Sequence, residues 1–186
     1  MSEAAPFFTI GHSNRPFAEF AGLLHATGVG IVADVRAFPR SRANPQYDGE
    51  RLAEALAGEQ LGYAYIPELG GRRGRQQPAE ASPNGLWENR SFRNYADYAL
   101  TAPFRAGLER LLALAERRCA VMCAEAVWWR CHRRIVADYL IAQGRTVFHI
   151  LGPGHVDPAS LTPGAVIGEA GVTYPPRAPD MKPGRR

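Results

Sequence analysis

Residues 123–133, Cys-Ala-Glu-Ala-Val-Trp-Trp-Arg-Cys-His-Arg, gather two thiols, a carboxylate, an imidazole and two guanidinium groups into one short segment. These are the side chains of nucleophilic, acid/base and metal chemistry. Cys123 and Glu125 are two apart, so they point to one side if an extended strand runs through them. Cys131, His132 and Arg133 precede an apolar helical pattern. A helix start presents free backbone N–H groups and a positive dipole end, which favour anions. A thiol placed there is partly thiolate at neutral pH. The plainer alternative makes Cys131 a small buried hydrophobe, His132 a solvated residue and Arg133 a helix-face cation.

Further polar residues recur after other apolar runs. His12 and Ser13 follow Phe7–Ile10, Asp34 and Arg36 end Ile31–Val35, and Ser41, Arg42 and Asn44 lie on the next loop. His149 is placed near the end of a last apolar run, Thr146–Leu151. Asp34 and Arg36 either brace each other or bracket a substrate. Of the adjacent Trp128 and Trp129, at most one is expected to be buried, and the other is a stacking platform or a surface residue. Tyr95 is expected to fill core. Cys119, at the start of its strand, is also expected in the core.

The elements that must carry these residues are legible in the apolar pattern. Strands are expected at Phe7–Ile10, Ile31–Val35, Tyr63–Ile66, Cys119–Cys123 and Thr146–Leu151. Helices are expected over Pro16–Thr27 with Asn14 as N-cap, from Asp48 to about Ala57 with Asp48 as cap, from near Ser91, and over Cys131–Gln143. Gly28 and Gly144 are the expected stops. Strands separated by helices give an α/β, three-layer, Rossmann-like and mostly parallel sheet of about five strands with helices on both faces. In such sheets ligands bind outside the carboxyl ends of the strands. Residues 1–151 are expected to form one domain. Its Arg/Gly-rich segment 70–86 reads as a long exposed loop, and 152–186 as a Pro/Gly-rich tail.

Several familiar sites are excluded. Cys123 and Arg130 are one residue too far apart for a Cys-x5-Arg anion cradle. No Cys-x2-Cys and no Gly-x-Gly-x-x-Gly is present, so zinc-ribbon, thioredoxin and dinucleotide fingerprints are absent. Three cysteines do not make a disulfide framework, and no apolar run approaches the roughly 20 residues of a membrane span. No secretory signal is read at the N-terminus, so the expectation is a cytoplasmic protein with free thiols. The net charge of +4 sits largely in the segment with Arg72, Arg73 and Arg75 and in the tail with Arg177, Lys182, Arg185 and Arg186.

The segments Thr-Ile-Gly-His-Ser (9–13), Asp-Val-Arg with Pro-Arg-Ser-Arg (34–42), Leu-Gly-Gly (69–71), Met-Cys-Ala-Glu (122–125) and Cys-His-Arg (131–133), with His149, resemble the domain of unknown function 488 family over about residues 7 to 151. The resemblance implies a site made of His12, Ser13, Asp34, Arg36, Cys123, Glu125, Cys131, His132 and Arg133. It implies no activity.

Three functional classes follow. The first is an enzyme, a hydrolase of a glycosidic or phosphoester bond in a nucleotide, nucleoside or nucleic acid. Glu125, Asp34, Cys123 and His12 would be its catalytic groups, and Ser13, Arg36, Arg42, Cys131, His132 and Arg133 its substrate contacts. The second is a thiol-dependent or metal-binding protein. The sequence requires no cofactor; a divalent transition metal, if bound, would take Cys123, Glu125 and His132. Cys131 and His132 diverge by about 100° on a helix, which disfavours their sharing one ion. The third is a non-catalytic anion-binding module. The expected partners are a small molecule or nucleotide, with nucleic acid as a further candidate and no membrane.

Overall fold

The computed structural model describes residues 4–178. Five parallel strands form the sheet: β1 (Phe7–Gly11), β2 (Ile31–Asp34), β3 (Gly62–Tyr65), β4 (Cys119–Cys123) and β5 (Val147–Gly152). A sixth, β6 (His155–Pro158), adds antiparallel to β5. The order is β3-β2-β4-β1-β5-β6.

Side-chain alternation along the strands divides the core into two layers. Phe8, Ile10, Val32, Ala120 and Met122 pack against α1 (Phe17–Ala26) and α2 (Gly49–Gly58). Phe7, Ala33, Cys119 and Val121 pack on the other face against α3 (Arg90–Tyr98), α4 (Ala102–Leu112) and α5 (Arg133–Ala142). The three-layer α/β reading is therefore correct, with one strand more than the apolar pattern suggests.

The sheet order fixes where a site can form. β1 is followed by α1 on one face, and its neighbour β4 is followed by α5 on the other. Adjacent strands whose connections leave on opposite faces open a crevice at their carboxyl ends. His12 and Cys123 lie at that crevice.

Several local expectations are corrected. Asn14 does not cap α1; the N-cap is Pro16, whose backbone is extended at φ −56° and ψ 143°. Residues preceding a proline are also driven out of helical geometry, so the helix cannot begin at Arg15. Asp48 stands at the N-cap of α2, but its carboxylate accepts the Ser41 N–H at 2.8 Å rather than a helical one. Segment 70–86 is not uniformly exposed. Asn84 within it is fully buried, donating to Asp97 Oδ1 at 2.7 Å and accepting the Tyr174 N–H at 2.9 Å.

Beyond residue 152 the chain adds β6 and a hairpin of β7 (Val166–Gly168) and β8 (Gly171–Thr173). Tyr174 then buries its ring and donates to Asp138 Oδ2 at 2.8 Å. β6 is an edge strand with mostly exposed positions, so it lacks the apolar signature of the central strands. Lys182, Arg185 and Arg186 lie outside the described residues. No helix among the described residues is long and apolar enough to cross a membrane.

Candidate functional site

β4 ends at Cys123, and the chain turns through residues 124–127 into a short 3-10 helix, Trp128–Arg130, before α5. Glu125 is therefore past the strand, and the expected same-side pairing with Cys123 does not apply. The turn passes so close to β1 that a Cβ on Gly11 would lie 1.8 Å from the Glu125 carbonyl oxygen. Only glycine fits there. The parallel ladder runs on through this contact, with the N–H groups of His12 and Ser13 donating to the carbonyls of Cys123 and Ala124 at 2.9 and 3.0 Å.

α5 begins two residues later than expected, at Arg133. Cys131 stands just before it, and its Sγ accepts the Arg133 backbone N–H at 3.4 Å. The sulfur thus takes the place of an N-cap oxygen, where free N–H groups and the dipole stabilise negative charge. Cys123 Sγ lies 2.7 Å from Cys131 Sγ, and His132 Nδ1 lies 3.4 Å from it. His132 Nε2–H donates to the Val35 carbonyl at 2.8 Å, which leaves Nδ1 facing the sulfur. Gly71 covers this imidazole; a Cβ there would sit 2.8 Å from Nδ1.

Behind the two sulfurs lies Arg133, 1% exposed. Its Nη2 donates to the Glu125 carbonyl at 2.7 Å and its Nη1 to Thr9 Oγ1 at 3.3 Å. Its Nε has no partner. Among the described residues no carboxylate pairs with it. A buried guanidinium without a counter-ion is costly, and the nearby groups able to carry the missing negative charge are the thiols. Burial opposes the Cys131 thiolate, but the Cys123 thiol, His132 and Arg133 outweigh it and hold the Cys131 pKa well below the usual thiol range. Burial and the hydrogen bond to Cys131 push the Cys123 thiol well up. The two sulfurs in contact compete for one negative charge, and the Arg133 N–H on Cys131 favours placing it there. Cys119, at the far end of β4, is pushed by burial up to about 12 and is the core residue expected.

A cavity of about 350 Å³ opens onto this pair. His12, Arg36, Cys123, Glu125, Cys131 and His132 of the expected site line it. So do Phe38, Arg40, Ser41, Arg72, Phe92, Tyr95 and Arg130. Tyr95 serves as core and wall together, since it is buried and its hydroxyl donates to the Leu69 carbonyl at 2.6 Å. Arg40 and Phe38 carry no periodic signal, but both fall in the loop after β2, where the edge rule points.

Four expected residues take other places. Asp34 is fully buried and does not line the cavity. It accepts Arg36 Nε and Nη2 at 2.9 and 2.7 Å, the Arg36 N–H at 3.1 Å and the Tyr63 hydroxyl at 2.7 Å. Ser13 turns away in the left-handed region at φ 48°, and its hydroxyl reaches only Asn14. Arg42 is exposed outside the cavity, and Arg133 stands behind the thiols rather than at the opening.

The histidines divide in role. His12 stacks on Tyr47 at 4.2 Å, donates through Nδ1 to the Ser13 carbonyl at 2.7 Å and accepts Arg36 Nη1 through Nε2 at 3.3 Å. Burial lowers its pKa, so it is neutral with both nitrogens engaged. His149 is in the middle of β5, not at its end. It stacks on Trp128 at 4.3 Å, and its Nδ1 is hydrogen-bonded to the Thr9 hydroxyl at 2.7 Å. Burial and Arg133 lower its pKa to about 4. Trp128 is thereby occupied and Trp129 is exposed, and neither lines the cavity. Among the described residues, no three His, Cys, Asp or Glu side chains converge as metal ligands.

Comparison with known proteins adds one match. The model of the family described as Domain of unknown function DUF488 matches residues 16–140, which takes in α1 through nearly all of α5 but not His12 or His149. No curated protein and no solved structure matches the chain. The matched span covers more than half of the chain, with β2, β3, β4 and both thiols of the site, and the chain belongs to the DUF488 family.

Proposed function

We propose that this protein is a thiolate-dependent enzyme acting on a small anionic substrate, with Cys131 as the nucleophile. The observation that carries the reading is Arg133, buried beside two thiols without a carboxylate partner. A fold retains such a charge when it stabilises a thiolate. Arg40, Arg72 and Arg130 around the cavity, against Glu125, with Arg36 already paired to Asp34, favour a substrate carrying phosphate or carboxylate. Phe38 and Phe92 offer apolar walls for a ring, which keeps nucleotides in the substrate class. Alkylation with iodoacetate, an anion, against neutral iodoacetamide tests both parts. Cys131 should react with both at pH 7 and favour iodoacetate over the ratio shown by a free thiol. Unreactive Cys131, or a ratio equal to the free thiol's, would sink the proposal.

Hydrolysis by acid/base chemistry at Glu125 is the second reading. It draws on an exposed carboxylate that lines the same cavity and enters no ion pair among the described residues. Asp34 has no part in it, because its oxygens are committed to Arg36 and Tyr63. Turnover of a hydrolysable substrate lost in Glu125→Gln but kept in Cys131→Ser would favour this reading over the first.

A further inference from the structure

Cys123 and Cys131 meet in the wall of the cavity with their sulfurs 2.7 Å apart, and seven residues separate them in the chain. Cys131 receives the Arg133 N–H and faces His132, while Cys123 ends a rigid strand. A simple nucleophile needs only one of these thiols. The second, held in contact with the first, is placed to attack whatever becomes bonded to it.

Resting on the thiolate reading above, we propose that Cys123 and Cys131 form a dithiol–disulfide couple that exchanges with small disulfides bearing carboxylate groups. Arg40, Arg72 and Arg130 supply the attraction for those carboxylates. The thiolate of Cys131 attacks one sulfur of the substrate disulfide. A new S–S bond forms, the substrate S–S bond breaks, and its electron pair leaves on the first substrate thiolate. Cys123 gives up its proton to that leaving thiolate and attacks Cys131 Sγ. The mixed disulfide breaks, and the second substrate thiolate leaves and takes a proton from water. The protein loses two electrons to become the Cys123–Cys131 disulfide, and the substrate gains them to become two thiols. An excess of the substrate thiol runs the sequence backwards. Cys119 takes no part, being buried at the opposite end of β4.

The test uses the reduced full chain with glutathione disulfide, which carries carboxylates, and with cystamine, which carries amines. Products are read by intact mass and by peptide mapping without reductant. The expected product from glutathione disulfide is a chain lighter by two hydrogens with a Cys123–Cys131 cross-link and a free Cys119. It should form about tenfold or more faster than with cystamine, as steering by charge allows. Cys123→Ser should stop at a stable glutathione adduct on Cys131. If Cys131 alkylates rapidly but the wild type keeps a glutathione adduct without a cross-link, the couple is refuted and the thiolate reading stands. Equal rates with cystamine would overturn the anionic substrate. If Cys131 alkylates no faster than Cys119 and no adduct forms, both readings fall together.

Discussion

The Cys131 sulfur accepts the backbone N–H of Arg133 at 3.4 Å, and the side chain of that same arginine is buried beneath the site without a carboxylate. One residue therefore acts on the thiol twice, through the first N–H of α5 and through its guanidinium. A hydrogen-bond chain runs on from Arg133 Nη1 to Thr9 Oγ1 and from the Thr9 hydroxyl to His149 Nδ1. A guanidinium only donates, so Thr9 Oγ1 accepts from Arg133, and the Thr9–His149 bond runs in the direction the imidazole tautomer sets. The arrangement holds Arg133 in place with neutral acceptors and leaves its charge for the thiols.

Asp34 holds Arg36 by accepting its Nε, its Nη2 and its backbone N–H. Asp34→Ala should leave a buried guanidinium unpaired and cost about 3–5 kcal/mol of stability, read as a lower denaturant midpoint. Tyr63→Phe removes one neutral donor from the same carboxylate and should cost about 0.5–1.5 kcal/mol. A loss in Asp34→Ala no larger than in Tyr63→Phe would show that the ion pair does not brace the loop after β2.

Gly11 sets the close approach of β1 to the turn after β4. In Gly11→Ala the new methyl would meet the Glu125 carbonyl, so the turn must move. We expect a loss of about 1–3 kcal/mol, the usual range for overpacking, together with slower alkylation of Cys131. Gly22→Ala, where a Cβ meets nothing within 4 Å, is the control and should leave alkylation unchanged. Equal behaviour of the two variants would contradict the contact.

His149 makes stability depend on pH. In the unfolded chain it takes up a proton near its ordinary 6.5, whereas in the folded chain it does so only near 4. The unfolded state thus binds more protons between those values, and stability falls as the pH drops through that window. His149→Asn keeps a hydrogen-bond partner for Thr9 and cannot charge, so its stability should fall less between pH 7 and pH 5 than that of the wild type. Urea midpoints at the two pH values decide this; parallel losses would show that His149 is not the titrating group.

Much of this could be read from the chain before its fold was known. The central strands announced themselves because both faces of a parallel sheet are buried, which leaves short apolar runs such as Cys119–Cys123. The carboxyl-edge rule then gathered His12, Arg36, Cys123, Cys131 and His132 onto one cavity. The antiparallel edge strand β6 was illegible because it is mostly exposed and follows a Pro/Gly-rich stretch. Asp34 and Arg133 both lie outside the cavity lining, which the sequence hides for a common reason. Sequence shows a charge at the strand edge or helix start, but not whether its side chain turns toward the cavity or back toward the protein. The contact between Cys123 and Cys131 was equally hidden, since it depends on the tight turn that Gly11 permits.

The most direct test of the account is the rate of Cys131 alkylation as a function of pH in the wild type and in Arg133→Met, read by peptide mass with Cys119 as the internal reference. The account predicts a wild-type profile whose midpoint lies below the ordinary thiol value of about 8.5, and a shift of that midpoint upward by about one unit or more when the guanidinium is removed. A midpoint at the ordinary value in the wild type, or one that Arg133→Met leaves in place, would contradict it.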